Sequence, residues 1–256
     1  MLAVMIGNFA SAEFDHSTWD GLLQANVVEL REGRATQVDY AAMLESRSQL
    51  QAYLDSLAAI NKDEFEKWSH AEQLAFLINA YNAWTVEFIL TAYPGLDSIK
   101  DLGYFFSSPW SQDIVSLFGE QVSLDDIEHG MIRGWNRYNE PRIHFAVNCA
   151  AIGCPALANS AFTGATLEAQ LEVNSQRFLS DSSRNYYQNG RFYLSKIFDW
   201  YAEDFEQGWG GYNSLAEFIS AYQTQLDLPL GGLQSLANGR MKVRYTDYDW
   251  GLNRKP

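Results

Sequence analysis

Between Ser69 and Pro94 the chain carries a helix signal that fixes much of what it can become. Ser69, with Glu72 three residues later, is a capping box. Leu74, Leu77, Ile78, Tyr81, Trp84, Thr85, Phe88 and Ile89 then recur at helical spacing, and Tyr93-Pro94-Gly95 ends the run. A helix this apolar has to be covered by other elements. The chain has the means: 256 residues, 47% of them apolar, suffice for a substantial core, and with 20% charged residues wholesale disorder is excluded. Asn79 and Asn82 interrupt the apolar run. Asn is a poor helix former, so the pair predicts buried hydrogen bonds to a neighbouring loop.

The rest of the chain mixes types. Trp19, Leu22, Leu23, Val27 and Leu30 predict a helix, and Tyr40–Leu57 another. Asp113–Phe118 and Gln121–Ser123 read as a hairpin around Gly119-Glu120, and Ser123 then caps a helix over Leu124–Arg133. Arg142–Asn148 alternates, with Ile143, Phe145 and Val147 on one face, and predicts a strand. Thr166–Leu179 reads as helix. Arg184–Gln188 and Arg191–Ser195 flank Asn189-Gly190, the strongest short hairpin signal. Ser195 caps Lys196–Glu206, Ser214 caps a helix to Leu226, and Met241–Tyr245 is a last strand. No linker or repeat divides the chain. The expectation is an α+β fold: a mainly helical N-terminal half packed on a small antiparallel sheet, one domain over residues 13–256.

Lys plus Arg number 18 against 32 Asp plus Glu, a net charge of −14. That argues against nucleic acid and anionic membrane surfaces as partners. No stretch has the apolar length of a membrane helix. The apolar start Met1–Phe9, followed by Ala10-Ser11-Ala12, reads as the remnant of a secretory signal over residues 1–12. Export would place the protein in a periplasm or outside the cell, where its cysteines meet oxidising conditions.

There are only two cysteines, Cys149 and Cys154, in the window from Arg142 to Pro155 that also holds His144 and Asn148. Pro155 suits a first helical position, which would set Cys154 at a helix N-terminus and lower its thiol pKa. In an extended strand His144 and Cys149 would lie about 16 Å apart. The window admits a thiolate nucleophile, two buried structural thiols, a Cys149–Cys154 disulfide, or zinc held with His129 and His144. The Cys spacing fits usual structural zinc patterns poorly. A second constellation, Ser123–Arg133, offers Glu128 and His129: a base with a carboxylate to orient it, or a solvated helix face. Asn148 is a candidate oxyanion donor. Trp200-Tyr201 with Asp199 and Asp204, and the segment Asp247–Asn253, are aromatic and acidic. Serine-hydrolase, P-loop, zincin and dinucleotide motifs are absent.

Phe76–Asn82, Leu124–Arg133, Pro141–Cys149 with Cys154–Leu157, Ser195–Tyr201 with Asp204-Phe205, and Tyr248–Asn253 occur in the order seen in the DUF547 family, which the chain resembles from about Leu22 to Asn253. That family has no established activity and is distantly similar to papain-like and transglutaminase-like thiol enzymes. The resemblance implies Glu128, His129, Arg133, His144, Cys149 and Cys154 as site residues, in an order permuted from papain, since every histidine here precedes both cysteines. The expected function is a thiol-dependent hydrolase or acyl/amide transferase acting on a peptide or small molecule. Cys154 or Cys149 would attack, His144 or His129 act as base, and Glu128 orient it. The expectation includes no cofactor, no metal, no nucleic acid and no integral membrane segment. A peptide- or sugar-binding module and a redox protein built on the cysteine pair are the alternatives.

Overall fold

The chain folds around the helix that its cap announces. In the computed structural model, which describes residues 13–104, 107–229 and 231–256, that helix spans His70–Leu90 and buries 18 of its 21 residues. It is therefore enclosed on all sides rather than amphipathic. The Ser69 hydroxyl accepts the Glu72 N–H, but only this half of the capping box forms. The Glu72 carboxylate instead takes the N–H groups of Phe14 and Gly164, tying two distant segments to the helix start. The expected signal remnant, residues 1–12, lies outside the described residues. Among the described residues no helix is long and apolar enough to cross a membrane.

The α+β class is what the structure shows, with the strands in three small sheets. Strand β1 (Val27–Leu30) pairs with β2 (Ala35–Val38), and β3 (Val115–Leu117) with β4 (Glu120–Val122), both antiparallel. Strand β5 (Tyr186–Gln188) pairs antiparallel with β6 (Arg191–Leu194) across Asn189-Gly190. Strand β7 (Lys242–Tyr245) joins β6 in parallel, a departure from the expected all-antiparallel sheet.

Two other expectations fail for identifiable reasons. The first helix stops at Asn26, and Val27 and Leu30 belong to β1. The turn that follows places Arg31, Glu32 and Gly33 at positive φ, a geometry that Arg and Glu rarely signal. The second is Arg142–Asn148, which is no strand: Pro141–Phe145 forms a 3-10 turn, and the Glu140 side chain accepts the Arg142 N–H at its start. Ile143 through Asn148 are buried without a break, so the alternation had no wet face to report.

This turn joins two hydrophobic clusters. Ile143, Ala146 and Val147 pack in the cluster around the central helix. Phe145 packs in the second, among Phe178, Phe192, Phe198, Phe205 and Phe218. The paired asparagines of the central helix do what their placement implied. Asn79 exchanges two hydrogen bonds with the Phe162 backbone, and Asn82 donates to the Ala146 carbonyl while accepting the Asn148 N–H. The segment that ends in the cysteines is thus bolted to the most buried element of the fold.

Candidate functional site

At the seam of the two clusters lies a cavity of about 240 Å³. Its wall contains Cys149, Cys154, His144, His129 and Glu128, five of the six residues given a catalytic role from sequence. The sixth, Asn148, stands behind the wall. Its Nδ2 donates to the Pro155 carbonyl and its Oδ1 accepts from the Ala150 N–H and from Asn253, so its amide braces the loop.

Cys149 and Cys154 are joined in a disulfide. No helix follows Cys154, contrary to the reading of Pro155 as a first helical residue. The loop between the cysteines turns through Ala150, at φ 60°, and is held from three directions. Asp249 and Gly251 accept the N–H groups of Gly153 and Ile152, and Ala150 accepts the N–H of Asn253. Arg184 caps the carbonyls of Gly153 and Cys154 at 2.9 and 2.6 Å. The Cys154 sulfur accepts the Cys149 N–H at 3.0 Å, and the Tyr248 hydroxyl lies 3.1 Å from each sulfur. Burial pushes the Tyr248 phenol up, so it stays protonated and can donate.

Both histidines reach the cavity, but only one has a lone pair to spare. The His144 ring is buried and stacks on Tyr201 at 3.9 Å. Its Nε2 lies 2.7 Å from the Asp204 carboxylate, which can only accept, so Nε2 carries the hydrogen. Its Nδ1 is buried with no hydrogen-bond partner among the described residues. Burial lowers the His144 pKa against the upward pull of Asp204, which keeps the ring neutral at pH 7. His129 sits half-exposed at the rim. Arg133 can only donate, so His129 Nδ1 accepts from it at 3.0 Å and its lone pair is spent.

The carboxylate bonded to His144 is that of Asp204, not Glu128. Besides His144 it binds Arg133 through Nε at 2.6 Å and Nη2 at 3.0 Å. Burial raises the Asp204 carboxyl, but the bonds from His144 and Arg133 outweigh it and hold it below its ordinary range. Glu128 sits on Asp126–Arg133, which winds as a π-helix instead of the expected α-helix. Such windings are rare and recur at functional sites. Ser123 and Asp126 cap it reciprocally.

Aromatic side chains complete the wall: Tyr81 and Trp110 from one side, and Trp200, Tyr201, Tyr248 and Trp250 from the C-terminal third. Sequence reasoning marked the 199–205 and 247–253 segments as aromatic and acidic without giving them a role. Their one signal was the clustering itself. Among the described residues no group of three or more His, Cys, Asp or Glu side chains is arranged to hold a metal ion.

Residues 65–179 match the family model described as a protein of unknown function, DUF547. The chain carries a DUF547 domain. No curated protein and no solved structure matches it. The matched segment of the DUF547 domain supplies the central helix, Glu128, His129, His144 and both cysteines. It stops before Asp204, Tyr248 and three of the aromatic wall residues, so the cavity is completed by residues beyond the match.

Proposed function

We propose that the reduced DUF547 domain is a thiol-dependent hydrolase or acyl/amide transferase. The observation that supports this best is the His144–Asp204 pair: a buried neutral imidazole, fixed through Nε2, with a free Nδ1 in the wall that holds both sulfurs. Cys154 is the nucleophile in this reading. Two donors, the Cys149 N–H and the Tyr248 hydroxyl, serve its sulfur and favour a thiolate.

An external dithiol first supplies the two electrons and two protons that open the disulfide. His144 Nδ1 takes the Cys154 proton, and the thiolate adds to a carbonyl carbon of a peptide or small-molecule substrate. The C–N or C–O bond breaks, and the leaving group departs with the proton from Nδ1. Water, or an acceptor amine or alcohol, then attacks the thioester and returns the thiolate. Asp204 holds the ring in one tautomer throughout, and Arg133 keeps Asp204 ionised. The closed cysteine pair and the apolar N-terminus before Ala10-Ser11-Ala12 support a periplasmic or secreted location.

Acylation tests the proposal. The reduced protein is mixed with p-nitrophenyl acetate and the adduct mapped by mass spectrometry. The expected result is one equivalent of acetyl on Cys154, formed at least ~100-fold more slowly in His144→Gln and more slowly in Asp204→Asn, ~100-fold being the low end of what a positioned base contributes. Acetylation no faster than in the urea-unfolded chain rejects it. The disulfide favours a second reading, dithiol–disulfide exchange. That reading predicts no free thiol in the native protein, two after mild reduction, and catalysed oxidation of a dithiol substrate without any acyl intermediate.

A further inference from the structure

Because Asp204 orients His144, Glu128 has no part in the proton transfers above. Yet it is only 5% exposed and lies in the cavity wall. Among the described residues its carboxylate has no Lys, Arg or His within ion-pair distance. Arg133, on the same helix, is committed to Asp204 and His129. A buried carboxylate without a cation is costly unless something at the site takes that place. Its neighbours are phenols: burial, then the Glu128 charge, push the Tyr81 and Tyr201 hydroxyls up.

The remaining lining has the same preference. Asp125 adds a second carboxylate, and among the described residues no Lys or Arg lines the cavity. Trp110, Trp200 and Trp250 offer indole faces, the strongest side-chain partners for a cation. Trp250 already holds one, the Lys100 ammonium, 3.6 Å from its ring centre.

We infer that the cavity binds an organic cation, an alkyl- or arylammonium group, with its nitrogen on the Glu128 carboxylate and its apolar part against the indoles. On the proposed thiol chemistry, on which this assignment of substrate class rests, the acyl donor or the acceptor amine carries that ammonium. Glu128 is then a recognition residue rather than part of the proton relay.

The test uses the oxidised protein, which has no thiol to acylate, so its outcome is separate from that of the acylation experiment. Benzyltrimethylammonium, benzyl alcohol and benzoate are titrated in turn, and binding is read by tryptophan fluorescence and calorimetry. The cation should bind at least ~10-fold more tightly than the alcohol, and benzoate more weakly still. Glu128→Gln should erase the preference for the cation. Trp200→Ala, at an exposed position where folding is not at stake, should weaken the cation several-fold. Equal affinity for the cation and the alcohol, or unchanged cation affinity in either variant, overturns the inference.

Discussion

Replacing Asn82 by Ala removes the amide that ties the cysteine-bearing segment to the central helix. Asn82 is buried, and its two bonds are 2.9 Å to the Ala146 carbonyl and 2.8 Å from the Asn148 N–H. Truncation leaves both backbone groups in a dry interior, at about 1–3 kcal/mol each. The small void adds roughly 1 kcal/mol. The expected loss is therefore about 3–7 kcal/mol, which for a chain of this size lowers Tm by roughly 10–20 °C. Asn79→Ala is the control, since it breaks two bonds of the same kind to Phe162, away from the cysteines. Urea melts of both oxidised variants measure the loss, and the rate of disulfide reduction by dithiothreitol measures the state of the site. Both variants should be destabilised alike, but only Asn82→Ala should speed reduction. A loss below about 1 kcal/mol, or faster reduction in Asn79→Ala as well, would refute the idea that this amide positions the site.

Ala150 sits at φ 60° between the cysteines, so Ala150→Gly should raise stability by about 0.5–1 kcal/mol in the same urea melts, the relief of left-handed strain exceeding the entropy that glycine adds to the unfolded chain. The pH dependence of stability should carry a signature of His16, which is buried against the Tyr53 hydroxyl at 2.7 Å, and whose pKa burial pushes down to about 4. The unfolded chain binds its proton near pH 6.5, so the stability tied to neutral His16 is full above that pH and is lost as pH falls through about 4; His16→Gln should flatten the profile in that window.

The parts of the fold that were legible in the sequence are those whose signals are local. Ser69 with Glu72 announced the central helix, and Asn189-Gly190 the hairpin of β5 and β6. Asn79 and Asn82 announced buried bonds, because an amide inside an apolar helix has few other uses. The 141–148 segment was misread because alternation implies a strand only where one face is wet, and here both faces are buried. The cysteine window was legible as a site from its density of reactive types. The identity of the carboxylate bonded to His144 was not: Asp204 is 60 residues from His144, and only tertiary packing selects it over Glu128, which lies closer in sequence. Tyr248, 94 residues beyond Cys154, was hidden for the same reason.

The most direct test of the proposed chemistry is the pH dependence of alkylation in the reduced protein, with Cys149 and Cys154 followed separately by mass spectrometry after iodoacetamide treatment. An ordinary thiol titrates near 8.5. Cys154, served by two donors and the free Nδ1 of His144, should react with an apparent pKa well below that, and His144→Gln should move it back up. Two thiols that titrate near the ordinary value in both proteins would contradict the account.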